Sequence, residues 1–289
     1  QWTMILWNGK KYYVSSAYVT SKKPASAGAV QTTSQTAAGA QTSGGTAIAL
    51  SSNYKYANYS KINSGTATLY RSTASNKKNK VVCVNAGHGT NGGGSVKTQC
   101  HPDGSAKVTG GTTGAGATSA VAVSSGMTFA DGTAESKVTL AMAKVLKTKL
   151  LNAGYDVLMI RESDDVQLDN IARTVIANNN ADCHIALHWD STSSNKGAFF
   201  MSVPSNATYR AMEPVASHWK QHNQLGESLI SGLKSAGVKI YSKGSMEMDL
   251  TQTSYSTIPS VDIELGDKAS DHSGATLETL ANGLLAGVN

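Results

Sequence analysis

Val81-Val82-Cys83-Val84-Asn85-Ala86-Gly87-His88-Gly89 is the stretch on which the fold turns. Its opening residues form a short continuous apolar run, the pattern of a parallel strand buried on both faces. Gly87-His88-Gly89 breaks the run, and the glycines permit a tight turn. Parallel strands are joined by long crossovers, usually helical, so a helix should follow. Residues 135–152 supply it, with apolar side chains at 138, 142, 145, 146 and 150. This helical stripe stops at Ala153-Gly154.

Working outward, residues 155–160 read as a second strand. Asp164 or Asp165 can cap a helix that continues through Ile171, Val175 and Ile176. Residues 183–187 read as a third strand, which makes a βαβαβ unit. A helix around 225–235, a strand at 261–264 and a helix near 275–286 complete the pattern. The expected fold class is α/β: a single twisted, mostly parallel sheet flanked by helices, spanning 80–289. Between Gly89 and Ala134 lies a Gly/Thr/Ser-rich insertion, 89–134, and loops of that length in compact domains usually carry function.

Upstream of Lys80 the composition changes. Residues 1–20 alternate apolar and polar around Trp7-Asn8-Gly9-Lys10, which is hairpin chemistry. Residues 21–53 are dominated by Ala, Ser, Thr, Gly and Gln and bury too little apolar surface to order themselves. They read as a tether with a reach of about 30 Å. Residues 54–79 read as a tyrosine-bearing lead-in to the main domain.

The chain has 289 residues and a formal charge of +6. That charge favours anionic surroundings such as wall polymers. Its basic residues are scattered, with no Lys/Arg stripe interleaved with aromatics, which argues against nucleic acid. No apolar run approaches the ~20 residues of a membrane span. Low charge and abundant small polar residues suit an exported surface protein, and a start at Gln1 fits a processed export product and a truncated one equally. Cys83, Cys100 and Cys183 form no CxxC pair and no disulfide framework. Cys83 and Cys183 read as small buried hydrophobes, and Cys100 as a thiol in a polar loop.

Four residues sit where strands should end or helices begin: His88, Glu135, His188 and Glu264. In open α/β sheets, ligands gather at the carboxyl ends of the strands. Singly, none is diagnostic. A histidine after a strand is as easily a polar turn residue. Glu135, opening a helix whose dipole favours a carboxylate, is as easily an ordinary first-turn acid. Glu264 closes the strand Val261-Asp262-Ile263-Glu264, where a carboxylate is costly to bury unless something nearby needs it. Asp262 shares its face and reads as a supporting residue or as half of a salt bridge. His184 precedes His188 by about 13 Å along the strand, so both cannot hold one ion, and His184 reads as structural. If the four converge, two histidines and a carboxylate leave a fourth zinc position open, which a catalytic site requires.

Taken in order, these segments resemble the zinc-dependent N-acetylmuramoyl-L-alanine amidases, peptidoglycan amidases with a His-Glu-His zinc site. The resemblance covers 80–289. It rests on Val84-Asn85-Ala86-Gly87-His88-Gly89, on Glu135 opening its helix, and on Asn152-Ala153-Gly154-Tyr155 leading to Arg161. It continues through Arg173 with Ala177-Asn178, Ala181-Asp182 leading to His188, and Val261-Asp262-Ile263-Glu264-Leu265-Gly266. It implies that His88, Glu135 and His188 bind Zn2+ and that Glu264 is the catalytic acid/base. It also implies a secreted autolysin-like hydrolase acting on peptidoglycan at the cell wall. Residues 11–19 separately resemble the last strands of a bacterial SH3-like module, so 1–20 is read as a partial one. Trp189-Asp190 after His188, Asp267 after Gly266 and the long insertion depart from the family pattern and bear on substrate preference.

Rival constellations are weaker. His218 and His222 share a helix face but lack the glutamate of HExxH. His101 and His272 read as surface loop residues. Gly92-Gly93-Gly94 is followed by no Lys-Ser/Thr pair, and no Gly-x-Ser-x-Gly elbow is present. Two functional alternatives share the pattern: a zinc peptidase cutting within the stem peptide, and a non-catalytic wall-binding protein.

Overall fold

The structure, a computed structural model, describes the backbone of 2–7 and 10–15 and all of 44–289. Strands β1 (Trp2–Trp7) and β2 (Lys10–Ser15) pair antiparallel with Trp7 opposite Lys10, the hairpin expected at the start of the chain. The rest of the SH3-like segment and the 21–43 portion of the tether lie outside the described residues.

A second compact unit holds the remaining elements. In chain order they begin with β3 (Thr46–Ala49), β4 (Thr66–Tyr70), β5 (Val81–Ala86), β6 (Lys97–Gln99), β7 (Ser119–Val121), α1 (Glu135–Asn152), β8 (Asp156–Met159) and α2 (Asn170–Asn180). They continue with β9 (Cys183–Asp190), β10 (Ala198–Ser202), α3 (Ala207–Ala211), α4 (Val215–Ser235), β11 (Ile240–Glu247), α5 (Thr251–Tyr255), β12 (Ser260–Asp267) and α6 (Gly274–Val288). The sheet runs β11-β10-β12-β9-β5-β8-β4-β3. Its centre, β12-β9-β5-β8, is parallel; β10 joins β12 antiparallel, and β4 joins β8 antiparallel. The two crossovers through α1 and α2 are those the sequence pattern predicts.

The opening apolar run is buried on both faces, as expected. Val82, Val84 and Ala86 pack beneath α1, α4 and α6. Cys83 points the other way, into a layer with Leu158, Ile160, Ala172 and Ile176. Alternate residues of one strand thus anchor both helical layers.

Several expectations need correction. The tether ends earlier than residue 53, because β3 pairs antiparallel with β4 while Ile48 and Leu50 pack on the second core layer. Residues 54–79 are part of the domain: β4 extends the sheet, and Tyr56 and Tyr59 stack edge-on against Tyr255. Helix α2 is capped by Asp169, not Asp164 or Asp165. Its Oδ1 accepts from Ala172 N at 2.8 Å, and its Oδ2 accepts from Ser60 Oγ, Lys61 N and Ile62 N. A tertiary docking point therefore chooses among the acidic residues before that helix. Helix α4 begins well before the expected 225, at Val215. Cys100 is buried, not in an open polar loop. The insertion carries the β6–β7 hairpin. Among the described residues, no helix is long and apolar enough to cross a membrane.

Candidate metal centre

His88 follows β5, Glu135 is the first residue of α1, and His188 and Glu264 lie opposite each other on the neighbouring parallel strands β9 and β12. These elements converge on the carboxyl-terminal side of the sheet's central strands. His88 Nε2 lies 2.9 Å from Glu135 Oε1 and 3.0 Å from His188 Nδ1, which is itself 3.1 Å from Glu135 Oε1. The three residues form a cluster able to hold a metal ion.

The turn that delivers His88 is unusual. His88 itself takes the left-handed region at φ 63, a conformation disfavoured for most side chains. Two buried arginines hold it there. Arg161 donates to the carbonyls of Ala86, Gly87 and Ser136, and Arg173 donates to His88 O at 2.7 Å and to Asn85 Oδ1. A Cβ on Gly87 would stand 2.2 Å from the His188 ring, so only glycine lets the imidazole in. On the insertion side, Gly126 at φ 82 is pressed against both His88 and Glu135.

Partner chemistry fixes which atoms carry protons. His88 Nδ1 faces Ser124 O at 2.9 Å; a carbonyl only accepts, so Nδ1 donates and Nε2 presents a lone pair. His188 Nε2 faces Asp262 Oδ2 at 3.6 Å, which favours a proton on Nε2 and leaves Nδ1 as the atom turned toward Glu135 and His88. Glu135 Oε2 accepts from Met127 N and Oε1 from Trp189 N. Three potential ligand atoms therefore meet within about 3 Å of one another, an arrangement that calls for a cation or, without one, for a proton on His188 Nδ1. Two imidazole nitrogens and a carboxylate oxygen are a donor set suited to zinc, and the residues fit such an ion.

Electrostatics agree. Burial alone would raise the Glu135 carboxyl, but His188 and His88 outweigh it and hold it well below the usual carboxylate range. Burial opposes charge on His188, yet Asp262 and Glu135 push its pKa up to about 10. The cluster attracts positive charge. Beside it, burial and then Asp262 raise the Glu264 carboxyl well above its ordinary value. Glu264 Oε2 and Asp262 Oδ1 are buried without a hydrogen-bond partner.

The centre opens into a groove of about 530 Å³. Strand ends form its floor, and the insertion supplies a wall through Gly110, Thr113, Val121, Ser124 and Met127. The other histidines stay apart from this cluster. His184 is buried with Nε2 3.2 Å from Asn85 Nδ2, in keeping with a structural role. His218 donates to Pro214 O, while His222 accepts from Ser260 N. His101 and His272 are not free surface residues. His101 is buried between Ser105 Oγ and Asp249 Oδ2, and His272 Nε2 lies 3.3 Å from Asp131. The clamping role of Arg161 and Arg173 has one sequence signal: Arg173 sits inside an apolar helical face between Ala172 and Val175. Ser124 and Asp249 leave no local signal.

Residues 82–282 match the family described as N-acetylmuramoyl-L-alanine amidase. No curated protein matches the chain significantly. Among solved structures, the fold is similar to the apo form of the N-acetylmuramyl-L-alanine amidase Ami1 from Mycobacterium abscessus, at 20% identity and TM-score 0.56, covering 73% of this chain and 97% of that one. Ami1 from Mycobacterium smegmatis gives 19% identity and TM-score 0.56, with 74% and 97% covered. An N-acetylmuramoyl-L-alanine amidase from Clostridium difficile 630 gives 17% and 0.50, with 72% and 94% covered. At these identities the likeness is one of fold.

Proposed function

Because the chain belongs to the N-acetylmuramoyl-L-alanine amidase family, we propose that it is a zinc-dependent hydrolase of the amide between N-acetylmuramic acid and the L-alanine of peptidoglycan stem peptides. Its substrate class is peptidoglycan, and its place of action is the cell wall. The observation that carries the reading is the meeting of His88, Glu135 and His188 beside a buried, partnerless Glu264 oxygen.

In this reading His88 Nε2, Glu135 Oε1 and His188 Nδ1 hold Zn2+. The ion, when bound, supplies Lewis-acid chemistry that acidifies water and polarises an amide carbonyl. Glu264 removes a proton from the attacking water and returns it to the departing L-alanine nitrogen, a general acid–base role. Burial and Asp262 raise its carboxyl toward the protonated form that the second step needs, and it would be drawn back by a cation on the neighbouring ligands toward the carboxylate that the first step needs. Ser124 O keeps the His88 proton on Nδ1, and Asp262 orients His188. Arg161 and Arg173 keep the His88 turn in its left-handed conformation. The products are a free L-alanine amine and an intact glycan strand. The secreted state, attraction to anionic wall polymers through the +6 charge, and the organisation into hairpin segment, tether and catalytic domain belong to the same proposal.

Digestion of purified peptidoglycan with and without a chelator, read by mass spectrometry, tests it. Chelator-sensitive release of stem peptides with a free L-alanine amine, and no new reducing sugar ends, is the expected result. Zinc-restored cuts elsewhere in the peptide would make the protein a stem-peptide peptidase. No products at all would make it a wall-binding protein.

A further inference from the structure

Asp249 lies between β11 and α5, far in sequence from the insertion, yet it is the insertion's main anchor. It is 1% exposed, and both carboxylate oxygens are occupied. Oδ2 accepts from His101 Nε2 at 3.0 Å and from Val108 N at 2.7 Å. Oδ1 accepts from Thr109 N, Thr109 Oγ1 and Lys107 Nζ. The backbone joins in: Lys107 Nζ donates to Asp249 O, and Asp249 N donates to Thr109 Oγ1. A buried carboxylate with this many donors fixes the geometry of whatever supplies them.

Apart from His101, the suppliers belong to one limb of the insertion, residues 107–113, whose exposed tip lines the same groove as the metal centre. The residues flanking Asp249 line it too: Met248 and Leu250. A Cβ on Gly111 would lie 3.2 Å from Met248 Sδ, so tip and sulfur are already in close approach. The insertion therefore meets the groove twice. Ser124 and Met127 touch the metal ligands; the 107–113 limb meets Asp249 and Met248 instead.

We propose that Asp249 is a positioning residue for substrate: it fixes the 107–113 limb as a preset wall that binds the stem peptide beyond the residue attached to muramic acid. The proposal rests on the amidase reading above. Wall and anchor together hold the peptide's later residues without touching the scissile amide. A preset wall lowers the ordering cost of binding, so loosening it weakens binding of a long peptide more than a short one.

The test compares Asp249→Asn with the unmodified full chain on two soluble substrates, a muramoyl dipeptide and a muramoyl tetrapeptide. Zinc content and circular dichroism establish that the variant is folded. The expected result is a rise of about tenfold in KM for the tetrapeptide relative to the dipeptide, with kcat within about threefold. Faster proteolytic cleavage within 110–116 should accompany it. Thr109→Val, which removes one anchor donor and leaves the carboxylate, should shift the same ratio by about threefold, and it decides the matter if Asp249→Asn does not fold. Equal losses on both substrates, or an unchanged ratio, would overturn the role of Asp249. If the unmodified protein cuts neither substrate at the muramoyl–L-alanine amide, the proposed reaction fails and this role with it.

Discussion

At the Asp249 end of the groove, both oxygens of the buried carboxylate accept from side-chain and backbone donors, and a lysine balances the charge. At the Glu264 end the pattern is reversed. His88 Nε2, His188 Nδ1 and Glu135 Oε1 crowd together as potential ligand atoms, while Glu264 Oε2 and Asp262 Oδ1 are buried with no partner. Burying a polar atom without a partner costs free energy, so a fold retains such atoms where something else offsets that cost. Complete satisfaction marks the groove's frame, and incomplete satisfaction marks the place where an ion and a substrate belong.

The most direct attack on that contrast is Glu264→Ala. If the partnerless oxygen exists to move protons, turnover should fall by about a hundredfold to ten-thousandfold while zinc per chain, measured by atomic absorption, stays unchanged. Full turnover would place Glu264 outside the mechanism. Loss of zinc together with turnover would make it a ligand instead.

A subtler break targets Asp262, whose Oδ2 faces His188 Nε2 at 3.6 Å while Oδ1 has no partner. A carboxylate behind a metal-binding imidazole fixes its orientation and raises its basicity, and removing such a partner commonly weakens metal affinity by about ten- to a hundredfold. Asp262→Asn should therefore need correspondingly less chelator to strip its zinc in a competition titration. An unchanged affinity would assign Asp262 to the groove surface rather than to the ion.

The two ends of the groove also differ in how far the sequence reveals them. His88, Glu135, His188 and Glu264 are legible because hydrophobic periodicity puts each where an apolar run gives way or a helix starts, although β9 and β12 continue past His188 and Glu264 to Asp190 and Asp267. Asp249 is not, because its donors come from about 140 residues away in the chain and no local pattern links them. The same blindness makes His101 look like a surface residue. It also hides the choice of Asp169 over its acidic neighbours, which Ser60, Lys61 and Ile62 decide. The parallel centre of the sheet is readable from continuous apolar runs. Its outer strands are less so: β3 is built from Thr46, Ala47, Ile48 and Ala49, a run whose small residues resemble the tether before it and which is ordered by ladder pairing with β4.

His184 and His222 sharpen the comparison by limiting it. His184 Nδ1 and His222 Nε2 are also buried without partners, yet neither belongs to the metal centre. What separates them is charge. Burial, then Arg173, lowers the pKa of His184 to about 3, and burial, then His218, does the same for His222. Both rings are therefore neutral in the folded protein, whereas Glu135 at the metal centre is held ionised by the histidines beside it. The sign of the consequence is definite. A histidine whose folded pKa lies below its unfolded value near 6.5 contributes stability that is present above pH 6.5 and is lost as pH falls toward 3, because the unfolded chain takes up the proton first. In His222→Asn the amide can keep an acceptor for Ser260 N and cannot titrate. Between pH 7 and 5 the unmodified protein should lose about 2 kcal/mol relative to this variant, read from urea unfolding at each pH, with the difference cancelling the carboxylates and the metal centre that both proteins share. A gap that stays constant would mean that His222 is protonated in the folded state. Its unpartnered nitrogen would then be a buried charge, and partner satisfaction would no longer separate frame from function in this groove.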